Sequence, residues 1–251
     1  MVNPFVDNPR YRLELAFGWI KSDTKSLLDY GCGDGKLLGY LRKKNSQIKL
    51  YGLEVDKKAL KILHKTTSGV RFISNLRNVK DNSCEIVTLL DVIEHVPDEI
   101  KTLDEIARVL KSGGCLLLST PHKGITEIFD PGNVKFRFPG LHKLLFERIF
   151  KQKGYKKKYL GKGMVGDISR QDINWHRHYS SKDLKKLLSK NFIIKEIRYY
   201  GLFFPLLSML DQAYLWVRKK ECKIIRKLVL MDSRINFGRL SFSIFINAIK
   251  K

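Results

Sequence analysis

Cysteine is scarce in this chain: four residues, at positions 32, 84, 115 and 222, none forming a C-x-x-C pair. That excludes a disulfide-stapled scaffold and a paired-cysteine zinc site, and the pattern expected is reduced core thiols in a cytoplasmic protein. Acid is also short, with 25 Asp and Glu against 48 Lys and Arg, a net charge of +23. Such a surface is either a Lys-rich solvated shell or one drawn to anionic partners: nucleic acid, anionic lipid head groups or phosphorylated substrates. Long apolar runs are missing as well. The longest uncharged stretch, Tyr199 to Leu210, falls short of the ~20 residues that span a bilayer, and Pro205 and Asp211 interrupt the wider apolar segment around it. The opening MVNPFVDNPRYRLELAF lacks the basic-then-apolar pattern of an export signal, so no export is expected. With 251 residues the chain is long enough for one sizeable core, and a single domain is expected.

What is present centres on KSLLDYGCGDGKLLGYLRKKN, Lys25 to Asn45. Ser26, Leu27 and Leu28 form a short apolar run ending on Asp29, suited to a strand buried on both faces. Leu37, Leu38 and Leu41 then take up helical spacing. Between strand and helix lie Gly31, Gly33 and Gly35, and glycines at such a turn let bare backbone approach a ligand. The dinucleotide fingerprint fails because the third glycine comes one residue early, and the phosphate loop fails because Leu37 follows Gly35-Lys36. The turn resembles instead the first motif, Asp-x-Gly-x-Gly-x-Gly, of class I S-adenosylmethionine-dependent methyltransferases.

A second strand, Ile48 to Glu54, ends on an acid at an offset from Gly31 that suits a carboxylate binding both ribose hydroxyls. Asp56 should cap the helix that follows. Val70 to Ile73 reads as a third strand followed by Asn75, where the resembled family commonly has an acid reading the adenine amino group. An amide can still accept from an amine. Cys84 to Leu90 is a fourth strand, leading into Asp91-Val92-Ile93-Glu94-His95-Val96-Pro97. The Glu-His pair, the Arg-Val-Leu-Lys helix end, the Gly-Gly turn and a fifth strand ending Thr-Pro at Pro121 are similar to the family's pattern in order and spacing. Ser112 replaces its usual proline. The resemblance covers residues 25 to 121, and includes the methyltransferase type 11 and ubiquinone-biosynthesis O-methyltransferases.

Alternating strands and helices imply a Rossmann-like doubly wound α/β fold: seven strands, mostly parallel with an antiparallel final strand, helices on both faces and ligands at the carboxyl ends of the strands. Asp29, Glu54, Asp91, Glu94, His95 and His122 all fall at such ends. The resemblance implies S-adenosylmethionine as cofactor, held by Asp29, Gly31, Gly33, Gly35, Glu54, Asn75 and Asp91. Methyl transfer mainly requires fixing two reactants in line and excluding water. A hydroxyl acceptor also needs a base, and His95 is the first choice, His122 the second. Asp91, Glu94 and His95 share a helical face that could hold a divalent ion with His176 or His178, although no metal is assigned.

Two stretches fall outside the core pattern. Residues 122 to 175 are turn-rich, then carry a basic helix with an apolar stripe at Leu141, Leu144, Leu145, Ile149 and Phe150, and read as an inserted lid. Residues 200 to 232, before a last strand at Leu240 to Ala248, join an apolar segment to Arg218, Lys219, Lys220, Lys223, Arg226 and Lys227. That fits a helix on an anionic membrane surface, a substrate lid or a homodimer interface. The expected function is O-methylation of a small or lipid-linked acceptor, a glycan or quinone-type precursor, by a cytoplasmic enzyme associated with membrane. RNA methylation and non-catalytic cofactor binding are the alternatives. No separate RNA-binding module and no Asn-Pro-Pro-Tyr-like motif supports the former.

Overall fold

A computed structural model of the protein describes residues 11–130, 133, 138–144, 147–148 and 177–251. Its frame is a seven-stranded sheet in the order β3-β2-β1-β4-β5-β7-β6. The strands are β1 (Ser26–Tyr30), β2 (Lys49–Leu53), β3 (Val70–Ile73), β4 (Cys84–Leu90), β5 (Leu110–Pro121), β6 (Phe192–Tyr200) and β7 (Ser243–Lys250). Strands β1 to β5 pair in parallel, and β7 runs antiparallel between β5 and β6. The doubly wound expectation therefore holds, including the antiparallel final strand.

Side-chain alternation along each strand divides the core in two. Leu28, Leu116, Leu118, Ile244 and Ile246 pack on one face with Leu103 and Ile106 of α4 (Glu99–Val109) and Leu184 and Leu188 of α6 (Ser181–Leu188). Leu27, Leu117 and Phe245 pack on the other with α1 (Tyr11–Trp19), α2 (Lys36–Lys44) and α3 (Lys57–Thr66). Leu28 is fully buried, and its truncation to alanine should cost about 2–5 kcal/mol through lost contacts and a cavity.

Caps follow the sequence signals. Asp56 accepts from the Lys58 amide at 2.7 Å, and Ser180 forms a reciprocal capping box with Asp183. The Gly-Gly element differs from expectation: Gly113 and Gly114 lie within β5, where the pairing with β4 shifts register between Cys84 and Ile86. A Cβ on Gly114 would come 2.8 Å from the Lys111 carbonyl, so glycine is required by a tight strand irregularity rather than by a turn before the strand.

The expected lid falls mostly outside the described residues; its described helix, α5, spans Pro139–Leu144. The apolar segment after β6 forms two helices, α7 (Phe204–Arg218) and α8 (Lys223–Asp232), joined where Lys219 turns left-handed at φ 53°. The last strand starts at Ser243, later than expected, because Gly238–Leu240 closes a 3-10 turn first.

Candidate active site

The glycine turn is built by backbone geometry. Gly31, Gly33 and Gly35 all have positive φ, at 75°, 52° and 69°, which glycine adopts without the steric cost other residues meet. The amides of Gly31 and Cys32 both donate to the Leu53 carbonyl, tying the turn to the end of β2. A Cβ on Gly31 would lie 2.5 Å from Val92, next to Asp91, so the turn packs against the loop after β4. Gly33 instead faces open space. Its amide donates to Glu54 Oε2 at 3.0 Å, while Glu54 Oε1 accepts from the Val55 and Asp56 amides at 2.7 and 2.9 Å. Three amide donors hold that buried carboxylate against the open side of the turn.

Asp29 is buried at the end of β1 and accepts from Thr88 Oγ1 at 2.7 Å. Desolvation pushes its pKa up to about 6, only partly opposed by that hydrogen bond and by Arg12. Cys32 is buried beside Asp29 and Glu54, and burial followed by those charges pushes its thiol up, so it stays protonated and inert. Asn75 Oδ1 accepts from the Arg77 amide at 2.9 Å, capping the 3-10 turn Leu76–Asn78. One amide oxygen is thereby partly committed to local structure.

A cleft lies at the carboxyl edge of the sheet, beyond the end of β4. Its volume is about 260 Å³, and its lining includes Arg12, Asp91, Glu94, His95, Asp130 and Tyr200. Asp91 adopts φ 54°, accepts from Ser119 Oγ at 2.6 Å and pairs with Arg12 at 3.0 Å. Glu94 is fully buried and accepts from Thr120 Oγ1 at 3.0 Å. His95 is half-buried at the end of the 3-10 turn Ile93–His95. Arg177 braces this turn, donating to the Glu94 and Val96 carbonyls and pairing with Glu99, while Tyr179 Oη donates to the same carboxylate at 3.0 Å.

His122 lies elsewhere. It is buried, its Nδ1 donates to the Ser241 carbonyl at 3.0 Å, and its ring packs edge-on against Tyr199. Burial lowers its pKa, leaving it neutral. His122 is not among the cleft's lining residues. His178 pairs with Asp130 at 3.2 Å, and His176 falls outside the described residues. Among the described residues no group of three or more His, Cys, Asp or Glu side chains is arranged to hold a metal ion.

Sequence reasoning missed Arg12, Asp130, Tyr200 and Ser243 of the cleft. Ser243 was accessible in principle: an antiparallel last strand begins at the same sheet edge where the parallel strands end.

A doubly wound sheet with a glycine turn after β1, an acid after β2 and a cleft after β4 defines the class of S-adenosylmethionine-dependent methyltransferases. The chain belongs to that family. Residues 8–191 match the family model described as a methyltransferase domain. The chain is 30% identical over 152 residues to a ubiquinone biosynthesis O-methyltransferase of Vibrio parahaemolyticus, covering 57% of this chain and 59% of that one. It is 32% identical over 119 residues to the same-named protein of Bordetella bronchiseptica, covering 42% and 48%. The match thus spans about half of these relatives' lengths. Among solved structures, a putative sarcosine dimethylglycine methyltransferase from Galdieria sulphuraria superposes with TM-score 0.58 at 14% identity, covering 96% of this chain and 84% of that one. The [4+2]-cyclase SpnF superposes with TM-score 0.59 at 15% identity, covering 96% and 81%. These structural likenesses establish the fold.

Proposed function

We propose that the chain forms a single methyltransferase domain that O-methylates a small or lipid-linked hydroxylated acceptor, a glycan or quinone-type precursor, at an anionic membrane surface. The observation that carries this reading is the glycine turn, open at Gly33 and backed by the amide-held Glu54 carboxylate, packed at Gly31 against Val92, the chain neighbour of Asp91 in the cleft that contains His95. The residues fit a cationic, ribose-bearing cofactor: an open backbone cradle, a fixed carboxylate for a diol, and further carboxylates at Asp29 and Asp91 for an ammonium group. S-adenosylmethionine, when bound, would supply a methyl group activated by a sulfonium centre whose sulfur departs as a neutral thioether.

The chain's own residues do the rest. Glu54 and the bare backbone of the glycine turn orient the cofactor, and the walls of the cleft position the acceptor and exclude water. His95, in the cleft lining, would accept the proton of the acceptor's hydroxyl. Asn75 is the residue for the adenine edge.

Membrane association is supported by α7 and α8. Among the described residues no helix is long and apolar enough to cross a membrane. Yet Leu210 and Val217 on α7, and Ile224, Leu228 and Met231 on α8, expose their side chains. Their spacing of i, i+7 and i, i+4, i+7 makes two apolar stripes, and Arg218, Lys220, Lys223 and Lys227 flank them. Arg226 is spent within the pair, on Asp211 and Glu221.

The test is transfer of labelled methyl from S-adenosylmethionine to fractionated lipids, glycans and RNA. Label in the lipid or glycan fraction supports the reading. Label in RNA would move it to the alternative that the net charge favours, and transfer to none would leave a cofactor-binding partner protein. The cyclase among the structural neighbours shows that this fold does not by itself fix the reaction.

A further inference from the structure

Helix α7 lacks a cap of its own: Phe203 precedes it and offers no side-chain acceptor. The acceptor comes from another helix. Asp232, the last residue of α8, is 5% exposed and takes the Leu202 amide at 3.1 and 3.2 Å on its two oxygens, and the Phe203 amide at 3.1 Å. A Cβ on Gly201, at φ 67°, would stand 3.3 Å from the same carboxylate. The arrangement fixes the foot of the α7–α8 pair, since an anion there meets both free amides and the positive end of the helix.

That foot forms part of the cleft. Ser233 follows Asp232 and Phe204 follows Phe203, and both line it. The Phe204 ring stacks on that of Phe242, another lining residue, with centroids 5.9 Å apart and planes 26° apart. We propose that Asp232 is a positioning residue for the acceptor, setting the Phe204–Phe242 face that receives an apolar substituent of a hydroxylated substrate. This rests on the reading of the cleft as the acceptor site. The carboxylate touches no acceptor itself; it holds the aromatic wall at the distance where the substituent loses its water.

The experiment is calorimetric binding of catechol and 4-tert-butylcatechol, two hydroxylated rings that differ by one apolar group, to the full chain without cofactor. The wild type should bind the butylated ring at least about tenfold tighter, as partial burial of that group implies. Asp232→Ala should bring the two affinities within about twofold while leaving that for catechol unchanged. Asp232→Asn should restore part of the ratio, because its amide oxygen still accepts one N–H. Phe204→Ala should collapse the ratio with Asp232 intact, and serves if Asp232→Ala fails to fold. Equal affinities in the wild type, no binding of either ring, or a ratio unchanged in Phe204→Ala and Asp232→Asn would overturn the assignment. A labelled-methyl assay with the same rings separates the two claims. No transfer with the binding ratio intact would sink the proposed reaction and leave the role of Asp232 standing.

Discussion

The Thr88 hydroxyl donates to the Asp29 carboxylate at 2.7 Å between two parallel neighbours in the centre of the sheet, at paired positions of β1 and β4. This one hydrogen bond does not offset the burial, and the Asp29 pKa stands at about 6 against an ordinary 3.8. The folded protein therefore keeps a proton that the unfolded chain has released. Asp29 costs nothing below the unfolded value; stability falls as pH rises from about 4 to about 6 and is level above, a penalty on the order of 3 kcal/mol. A cofactor ammonium beside Asp29 would prefer the ionised form. Affinity for S-adenosylmethionine should thus rise between about pH 5 and pH 7, and Asp29→Asn should flatten that rise and weaken binding. A pH series of equilibrium titrations on both proteins measures it, and an equally steep rise in the variant would remove Asp29 from the cofactor site.

The two histidines expected as bases should separate cleanly. His95→Ala should lower turnover by about 10²-fold or more with cofactor affinity spared, as for a proton acceptor. His122, neutral and bonded to the Ser241 carbonyl, should act through stability, with His122→Ala costing about 1–3 kcal/mol in denaturant unfolding by leaving a buried group unpartnered. Equal turnover of His95→Ala and wild type at every pH would end the base role.

Docking by α7 and α8 should depend on lipid charge and on salt. Basic residues near an anionic surface contribute roughly 1 kcal/mol each, and screening shortens their reach. In vesicle co-sedimentation the wild type should bind anionic but not neutral vesicles and be released at high salt. Changing Arg218, Lys219, Lys220 and Lys223 to Gln should abolish binding. If wild type and variant both stay in the supernatant under every condition while a soluble acceptor is still methylated, the two helices serve the substrate or a second copy of the chain.

The features legible in the sequence were those encoded locally. Positive-φ glycines, an acid closing a strand and Asp56 before a helix each announce their geometry within a few residues, and all three form as read. What stayed hidden depends on chain segments meeting from far apart. Arg12 reaches Asp91 from a helix that precedes the sheet, and Asp232 caps a helix other than its own. His122 illustrates that being at a strand end does not fix which way a side chain points. Pro121 lines the cleft, whereas one position on the ring is buried at the Ser241 carbonyl. The break at Lys219 was likewise unreadable: an apolar-then-basic run looks the same whether it forms one helix or two.

The central claim is that the glycine turn and Glu54 hold S-adenosylmethionine, and calorimetric titration of the cofactor into wild type, Glu54→Ala and Gly33→Val tests it most directly. The wild type should bind one equivalent. Glu54→Ala should lose about 1–3 kcal/mol through the missing charge-assisted contact. Gly33→Val should lose more, since its side chain would occupy the open space at a backbone angle that β-branched residues resist. Undiminished affinity in both variants, or no binding by the wild type, would contradict the account.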